Sequence, residues 1–92
     1  IVHVLLTRHA REVAARRRIA EDIIRRVAEQ PGQRLPGPAG GVVLQGRFFD
    51  PELGKTMLLR IIARETPAEV RVLTVYKTSH IDKYWKAKGD TP

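Results

Sequence analysis

Residues 8–30 contain no glycine or proline, and this uninterrupted stretch constrains the fold more than any other feature of the chain. Helix-forming residues dominate it. It carries two short apolar stripes at helical spacing, formed by Ala10, Val13 and Ala14 and by Ile23, Ile24, Val27 and Ala28. Ile19 fits neither stripe, so the pattern predicts two helices with a break near residues 18–20; one long helix is the alternative. Pro31 and Gly32 end the helical region.

The segments on either side of the helical region have the composition of strands and loops. Residues 2–6 are short, β-branched and apolar, which predicts a first strand, and Thr7 follows at the position of a helix N-cap. Residues 31–41 hold three prolines and four glycines, so we expect a loop there.

Three further strands are predicted after this loop, at residues 42–49, 55–64 and 69–78. Short turns join them into an antiparallel meander. In the last strand, strict alternation places Val70, Val72, Thr74 and Tyr76 on one face and Arg71, Leu73, Val75 and Lys77 on the other. The strand at 42–49 or the last strand is expected to form an exposed edge that could pair with a partner.

A short helix is predicted from His80 to about Lys86, because Ser79 and Asp82 resemble a capping box. Its apolar side, Ile81 and Trp85, is expected to dock on the rest of the fold. The complete order is strand, two helices, three-stranded meander and short helix. We therefore expect one α+β domain over residues 1–92, with two layers and the helices on one face of the sheet.

The chain is strongly basic, with a net charge of +7 and seventeen cations, of which twelve are arginine. Guanidinium groups suit phosphate and carboxylate, so this balance favours RNA, DNA or an acidic protein as partner; a compositional bias is the alternative. The sequence has no cysteine, which excludes disulfides and thiolate sites and permits a cytoplasmic location. No apolar run is long enough to span a membrane, so we expect no membrane-spanning helix. No motif for a cofactor or a metal occurs, so we expect no cofactor and no metal site.

Residues 70–85, VRVLTVYKTSHIDKYW, concentrate the side chains that could perform chemistry. His80, Lys83 and Tyr84 fall at i, i+3 and i+4 and are expected to share one side of the last helix. His9, at the start of the first helix, could meet a phosphate there. For both histidines the alternative is an ordinary exposed helix residue.

Arginines form two further groups of interest. Arg16, Arg17 and Arg18 are followed by Arg25 and Arg26; this cluster predicts a solvated face, with an RNA backbone or an acidic partner strand as the alternative. Arg60 and Arg64 emerge from an apolar strand and are expected opposite the last strand, as solvated groups at the sheet edge or as an anion-binding wall.

The segments RHAREVAARRRIAEDII and LTVYKTSHIDKYW resemble a small bacterial domain family of unknown function, with the pattern T-x-HA-x-x-R…R-x-I and, later, V-x-T-V-Y-x-T-S-K-I-x-K-Y. That family is similar in layout to the RelE/ParE-type and BrnT toxins of toxin-antitoxin pairs. The resemblance implies a small basic α+β protein that cleaves RNA without a metal and has an acidic antitoxin-like partner. The matching positions are His9, Arg18, Lys77, Thr78, Ser79, Lys83 and Tyr84. This chain has His80 where the family often has lysine, and Arg18 where it commonly has glycine.

These observations give two hypotheses for function. In the first, a metal-independent ribonuclease uses His80 or His9 as base or acid, while Lys77, Lys83 and Arg60 hold the phosphate and Tyr84 stacks on a base. Arg18, Thr78 and Ser79 would contribute to binding. In the second, the chain is a non-catalytic module that binds nucleic acid or an acidic protein.

Overall fold

Thr7 connects the first strand to the first helix, and it is hydrogen-bonded both to that helix and to the last strand. Its hydroxyl accepts a hydrogen bond of 3.1 Å from the Ala10 N–H and so caps the helix, while its own N–H bonds to the Val72 carbonyl. The computed structural model describes residues 2–86; residues 1 and 87–92 of the predicted domain lie outside the described part. The elements in chain order are β1 (His3–Leu6), α1 (Arg8–Arg16), α2 (Glu21–Glu29), β2 (Gln33–Pro36), a 3₁₀ turn (Pro38–Gly40), β3 (Val42–Asp50), β4 (Lys55–Glu65), β5 (Glu69–Thr78) and α3 (Ile81–Tyr84).

The five strands form one mixed sheet in the order β1, β5, β4, β3, β2. β1 is parallel to β5, and the other pairs are antiparallel. The predicted α+β class and the meander of β3, β4 and β5 are confirmed. The long connection from β1 to the rest of the sheet passes through α1 and α2, which pack on one face.

The interruption between α1 and α2 is a helix-ending motif at Arg18. The Ile19 N–H bonds to the Ala14 carbonyl at 2.9 Å and the Arg18 N–H bonds to the Ala15 carbonyl at 3.2 Å, the two bonds of a Schellman motif. Arg18 has a φ of 57°, in the left-handed region that favours glycine. Ile19 is buried against the core, which explains why it fits neither helical stripe. The prediction of two helices is confirmed.

The face of the sheet beneath α1 and α2 holds the main core. Ala10, Val13, Ile24 and Val27 from the helices meet strand residues that point to the same side, including Leu44, Leu59, Ile61, Val72 and Val75. Full burial of an aliphatic side chain of this size stabilises a fold by about 1.5–3 kcal/mol. This layer therefore fixes the two helices on the sheet. Among residues 2–86, no helix has both the length and the apolar character needed to cross a membrane.

A β-bulge at Leu73 changes the faces of β5. The register runs from Ala63 opposite Val72 to Ile62 opposite Thr74, which leaves Leu73 as an extra residue. Val72 and Val75 consequently point to the same side, into the core. The alternation predicted across the whole strand is wrong beyond Val72, because one additional residue reverses every later side chain. Lys77 lies on the helix side of the sheet and Tyr76 on the opposite side.

The segment predicted as a loop at residues 31–41 contains strand β2, so that prediction is wrong for its first half. Gln33 pairs with Gln45, and Pro36 pairs with Val42. The turn that joins β2 to β3 includes Ala39 at a φ of 54°. Proline is tolerated because β2 is an edge strand. β3 is consequently paired on both sides over residues 42–45, so the expectation of an exposed edge at 42–49 is wrong for that half of the strand. Residues 46–50 have no strand partner on that side within the part of the chain that the structure describes.

The last helix also differs from its prediction. α3 covers only Ile81–Tyr84, and the N-terminal cap has no side-chain hydrogen bond; instead the Thr78 hydroxyl accepts from the His80 N–H at 3.0 Å. α3 packs against the face of the sheet opposite α1 and α2, through contacts with Gln45 and Arg60. The expected placement of all helices on one face is therefore wrong.

Candidate functional site

The side-chain amide of Gln45 lies at the centre of the hydrogen bonds on the face of the sheet that carries α3. It is fully buried, and its Nε2 donates to Gln33 Oε1 at 2.7 Å and to the Tyr84 carbonyl at 3.1 Å. Its Oε1 accepts from Arg60 Nε at 2.9 Å. A buried amide that makes all of these hydrogen bonds stabilises the fold, whereas removal of one partner lowers the free energy of unfolding because a buried polar atom is left unpaired. The network ties α3 to β3 and β4.

Arg60 extends this network into an aromatic pair. Its Nη1 donates to the Tyr76 hydroxyl at 2.5 Å, and its guanidinium carbon lies 4.3 Å from the centroid of the Tyr84 ring. The two tyrosine rings meet edge to face, with centroids 6.4 Å apart. Arg60 therefore holds Tyr84 in place, and its guanidinium is largely occupied by partners within the protein.

Trp85 docks beside this pair. The Arg47 guanidinium carbon lies 4.4 Å from the Trp85 ring centroid. Gly32 leaves room for the indole, since a Cβ there would come within 2.6 Å of Trp85 Cη2. Gln33 then holds the following residue by accepting from the Lys86 N–H at 3.0 Å and donating to the Lys86 carbonyl at 2.6 Å. These contacts are those expected of a docking residue at the end of the chain's last helix.

The exposed groups on this side of the sheet include several cations beside the acidic Asp82. The His80 and Lys83 side chains are exposed, and Lys83 Nζ lies 5.3 Å from the Tyr84 ring centroid. Thr78 is half-buried and Ser79 is exposed at the same junction. We call the combined set the α3 surface; its members are Arg47, Arg60, Tyr76, His80, Lys83, Tyr84 and Trp85.

Lys77 lies on the other side of the sheet, in a structural ion pair. Its Nζ donates to Asp50 Oδ2 at 2.6 Å and to the Arg18 carbonyl at 3.2 Å. Asp50 is buried, and its other oxygen accepts from two backbone N–H groups of the β3–β4 turn. The Lys77 hydrogen bond holds the pKa of Asp50 below its usual value, against the opposing effect of burial.

Arg18 and His9 also lie on the helix side. Arg18 Nε forms an exposed ion pair of 3.1 Å with Glu52, and His9 is exposed in the first turn of α1. Of the nine side chains predicted from the sequence, the fold therefore places six on the α3 side: Arg60, Thr78, Ser79, His80, Lys83 and Tyr84. Lys77, His9 and Arg18 lie on the other side of the sheet, because the bulge at Leu73 places Lys77 on the helix face and α1 packs on that face.

The arginine cluster of the helical region divides into paired and unpaired members. Arg25 pairs with Glu21 and donates to the Val4 carbonyl at 2.7 Å. Arg16, Arg17 and Arg26 form no ion pair within the described part of the chain. Arg64 lies opposite Arg71 in the β4–β5 pair, and both side chains are exposed. Arg64 is therefore the solvated group that was one of the two alternatives, and not part of an anion-binding wall with Arg60.

Sequence reasoning missed three residues that organise the two sides: Gln45, Gln33 and Asp50. Gln45 could have been noticed, because it is a lone amide in the apolar run of β3 and lies opposite Arg60. Asp50 falls between the strands predicted at 42–49 and 55–64, where the sequence indicates only a turn. Its role depends on the bulge that directs Lys77 toward it, and no local pattern shows that.

No protein-family model, curated protein or solved structure matches the chain. The resemblance to the small bacterial domain family therefore rests on the sequence motifs alone. Within residues 2–86, no group of three histidine, aspartate or glutamate side chains is arranged to hold a metal ion.

Proposed function

We propose that this protein binds single-stranded RNA through the α3 surface. The observation that carries the proposal is the exposed guanidinium of Arg47 over the half-buried ring of Trp85, at 4.4 Å, on the same side of the sheet as exposed His80 and Lys83. Unpaired RNA bases stack on aromatic rings and on guanidinium planes, while cations contact the phosphates. This surface offers both kinds of contact.

Charge favours an anionic ligand at this surface. Arg47, Lys83 and Lys86 form no ion pair with a carboxylate among residues 2–86. Each is exposed, so contact with a phosphate would release counterions at little desolvation cost. Arg60 is different: its Nε and Nη1 donate to Gln45 and Tyr76 within the protein, and its contribution is to position Tyr84.

Binding is tested by fluorescence anisotropy of a labelled uridine dodecamer between 50 and 200 mM salt. Arg47→Ala and Lys83→Ala are each expected to weaken binding by about three- to tenfold and to reduce the slope of log K against log salt by about one. Arg8→Ala and Lys55→Ala remove exposed cations elsewhere and serve as matched controls. Equal losses in the controls, or no binding at 50 mM salt, would exclude the α3 surface as the RNA site.

A metal-independent ribonuclease is the second candidate, and the position of His80 favours it. The imidazole and the Lys83 ammonium are both exposed and lie three residues apart in sequence at the strand-to-helix junction, so one could exchange a proton with the RNA while the other holds the phosphate. His9 and Lys77 take no part, because they lie on the other side of the sheet. A toxin of this kind would be neutralised by an acidic partner that competes with RNA for the same surface.

Cleavage is tested on total RNA with the wild type, His80→Ala, Lys83→Ala and the double variant, in buffer containing a metal chelator. The double variant is expected to abolish cleavage and keep its fold by circular dichroism. His3→Ala, which removes another exposed histidine, is the control. Cleavage that persists in the double variant would contradict the assignment, and RNA left intact by the wild type would leave binding as the function.

A further inference from the structure

β1 covers only part of β5, and this leaves a strand edge open. β1 pairs with residues 69–72 of β5, whereas β5 continues to Thr78. Thr7 ends the pairing by bonding to the Val72 carbonyl through both its N–H, at 3.2 Å, and its hydroxyl, at 3.0 Å. The chain then turns into α1. Among the described residues, none pairs with 73–78 on this side, which leaves an edge about 20 Å long at ~3.3 Å per residue.

The peptide groups along this edge face outward. Arg17 Nη1 donates to the Val75 carbonyl at 2.7 Å, so that carbonyl points away from β4. Within a strand, the N–H and C=O of one residue point the same way and alternate residues share that direction. The Val75 N–H and the peptide group of Lys77 therefore also face the open side. The edge presents donors and acceptors in the order that an added strand would use.

A shallow open depression of about 530 Å³ runs beside these groups, lined by Arg17, Tyr76 and Lys77. Arg17 is exposed and is held there by a single hydrogen bond to the edge. Its side chain can turn outward and expose the Val75 carbonyl. The depression provides space for an extended chain at the position where β1 would have continued.

Charge identifies the kind of chain that fits. Arg16 and Arg17, at the end of α1, have no carboxylate partner among the described residues. A second copy of this chain, with its net charge of +7, would be repelled. RNA phosphates could accept from the edge N–H groups but would be opposed by the edge carbonyls, whereas a peptide satisfies both.

We infer that residues 73–78 of β5 receive an extended, acidic segment of another protein, which adds a strand to the sheet. The main chain of that segment pairs with Val75 and Lys77, and its carboxylates contact Arg16 and Arg17. The arginine run after α1 is thereby assigned to partner recognition. This site is separate from the α3 surface and does not require RNA binding.

The inference is tested by display of random twelve-residue peptides, which are selected for binding to the full chain. The enriched peptides are then titrated into the ¹⁵N-labelled protein. The enriched peptides are expected to be rich in Asp and Glu, and to shift the amides of Val75 and Lys77 and slow their hydrogen exchange. Arg16→Glu should weaken binding at least tenfold. Arg26→Glu, which changes an unpaired exposed arginine on α2, should not.

Charge reversal in the peptide provides a second test, on the wild type and on Arg16→Glu. Replacement of its carboxylates by lysine should abolish binding to the wild type and restore binding to Arg16→Glu. The inference is overturned if no peptide is enriched, if the peptides lack acidic residues, or if the affected amides lie on β1 or β2. It is equally overturned if a uridine dodecamer shifts Val75 and Lys77 and the acidic peptides do not.

Discussion

Lys77 and Asp50 form an ion pair, 2.6 Å between Nζ and Oδ2, that joins the last strand to the turn between β3 and β4. The side chains are only 14 % and 4 % exposed. Lys77 also bonds to the carbonyl of Arg18, so one ammonium group connects the turn to the break between the two helices. The pair is a feature of the fold, although its lysine belongs to a motif that the sequence associates with chemistry.

Stability should fall in acid because of this pair. The Lys77 hydrogen bond lowers the pKa of Asp50 in the folded state, so its stabilisation is present above the unfolded pKa and is lost as pH falls through the folded pKa. The Asp50 carboxyl should titrate below its usual range by ¹³C NMR, and Tm should drop over that interval. Lys77→Met should be less stable at neutral pH and lose much of this acid dependence. An Asp50 pKa at or above the usual value would contradict the argument.

Arg18→Gly should stabilise the protein by about 0.5–1 kcal/mol. Arg18 occupies a left-handed conformation that is unfavourable for a residue with a Cβ, and glycine removes this cost at the expense of some unfolded-state entropy. The lost ion pair with Glu52 is exposed and contributes little. Urea unfolding measures the change, and Arg18→Ala, which loses only the ion pair, is the control. A glycine variant less stable than the alanine variant would refute the prediction.

Arg60→Ala should destabilise the fold by about 1–3 kcal/mol, because it leaves the buried Gln45 oxygen without its donor. It should also loosen α3, since Tyr84 loses the guanidinium it packs on. The chain has one tryptophan, so the emission of Trp85 reports the release of α3 during urea unfolding. Arg64→Ala, on the same strand and exposed, should have little effect. Full stability in Arg60→Ala would show that the network is dispensable.

The variants Gly37→Ala and Gly32→Ala should differ in their free energy of unfolding, although the added Cβ crowds a neighbouring residue in both. A Cβ at Gly37 would lie 2.8 Å from the backbone of Val42, which is held in the sheet, so a loss of about 1–3 kcal/mol is expected. A Cβ at Gly32 would meet the tip of the Trp85 ring, which can swing aside. That variant should lose less stability but show red-shifted tryptophan emission. The reverse order of stabilities by urea unfolding would contradict this account.

Local patterns in the sequence were sufficient for the elements with regular spacing. The two helical stripes and the apolar composition of β3, β4 and β5 indicate these elements, which occur where they were predicted. β2 was missed because its pairing with β3 outweighs the turn propensity of Pro36 and the surrounding glycines.

The candidate site was harder to predict because it depends on which layer each side chain enters. His80, Lys83 and Tyr84 are close in sequence and remain on one side of the sheet. Lys77 precedes His80 by three residues and lies on the other side. That separation follows from the register of β5 on β4, which is a property of two strands and not of the motif itself.

The bulge at Leu73 also allows β5 to change its own length. Deletion of Leu73 would remove the unpaired residue and place Thr74 directly after Val72, with the pairs Ala63–Val72 and Ile62–Thr74 unchanged. Tyr76 would stay opposite Arg60, Lys77 would stay on the side of Asp50, and both networks would be kept. We therefore expect β5 to accept the deletion of Leu73 although it lies inside a strand.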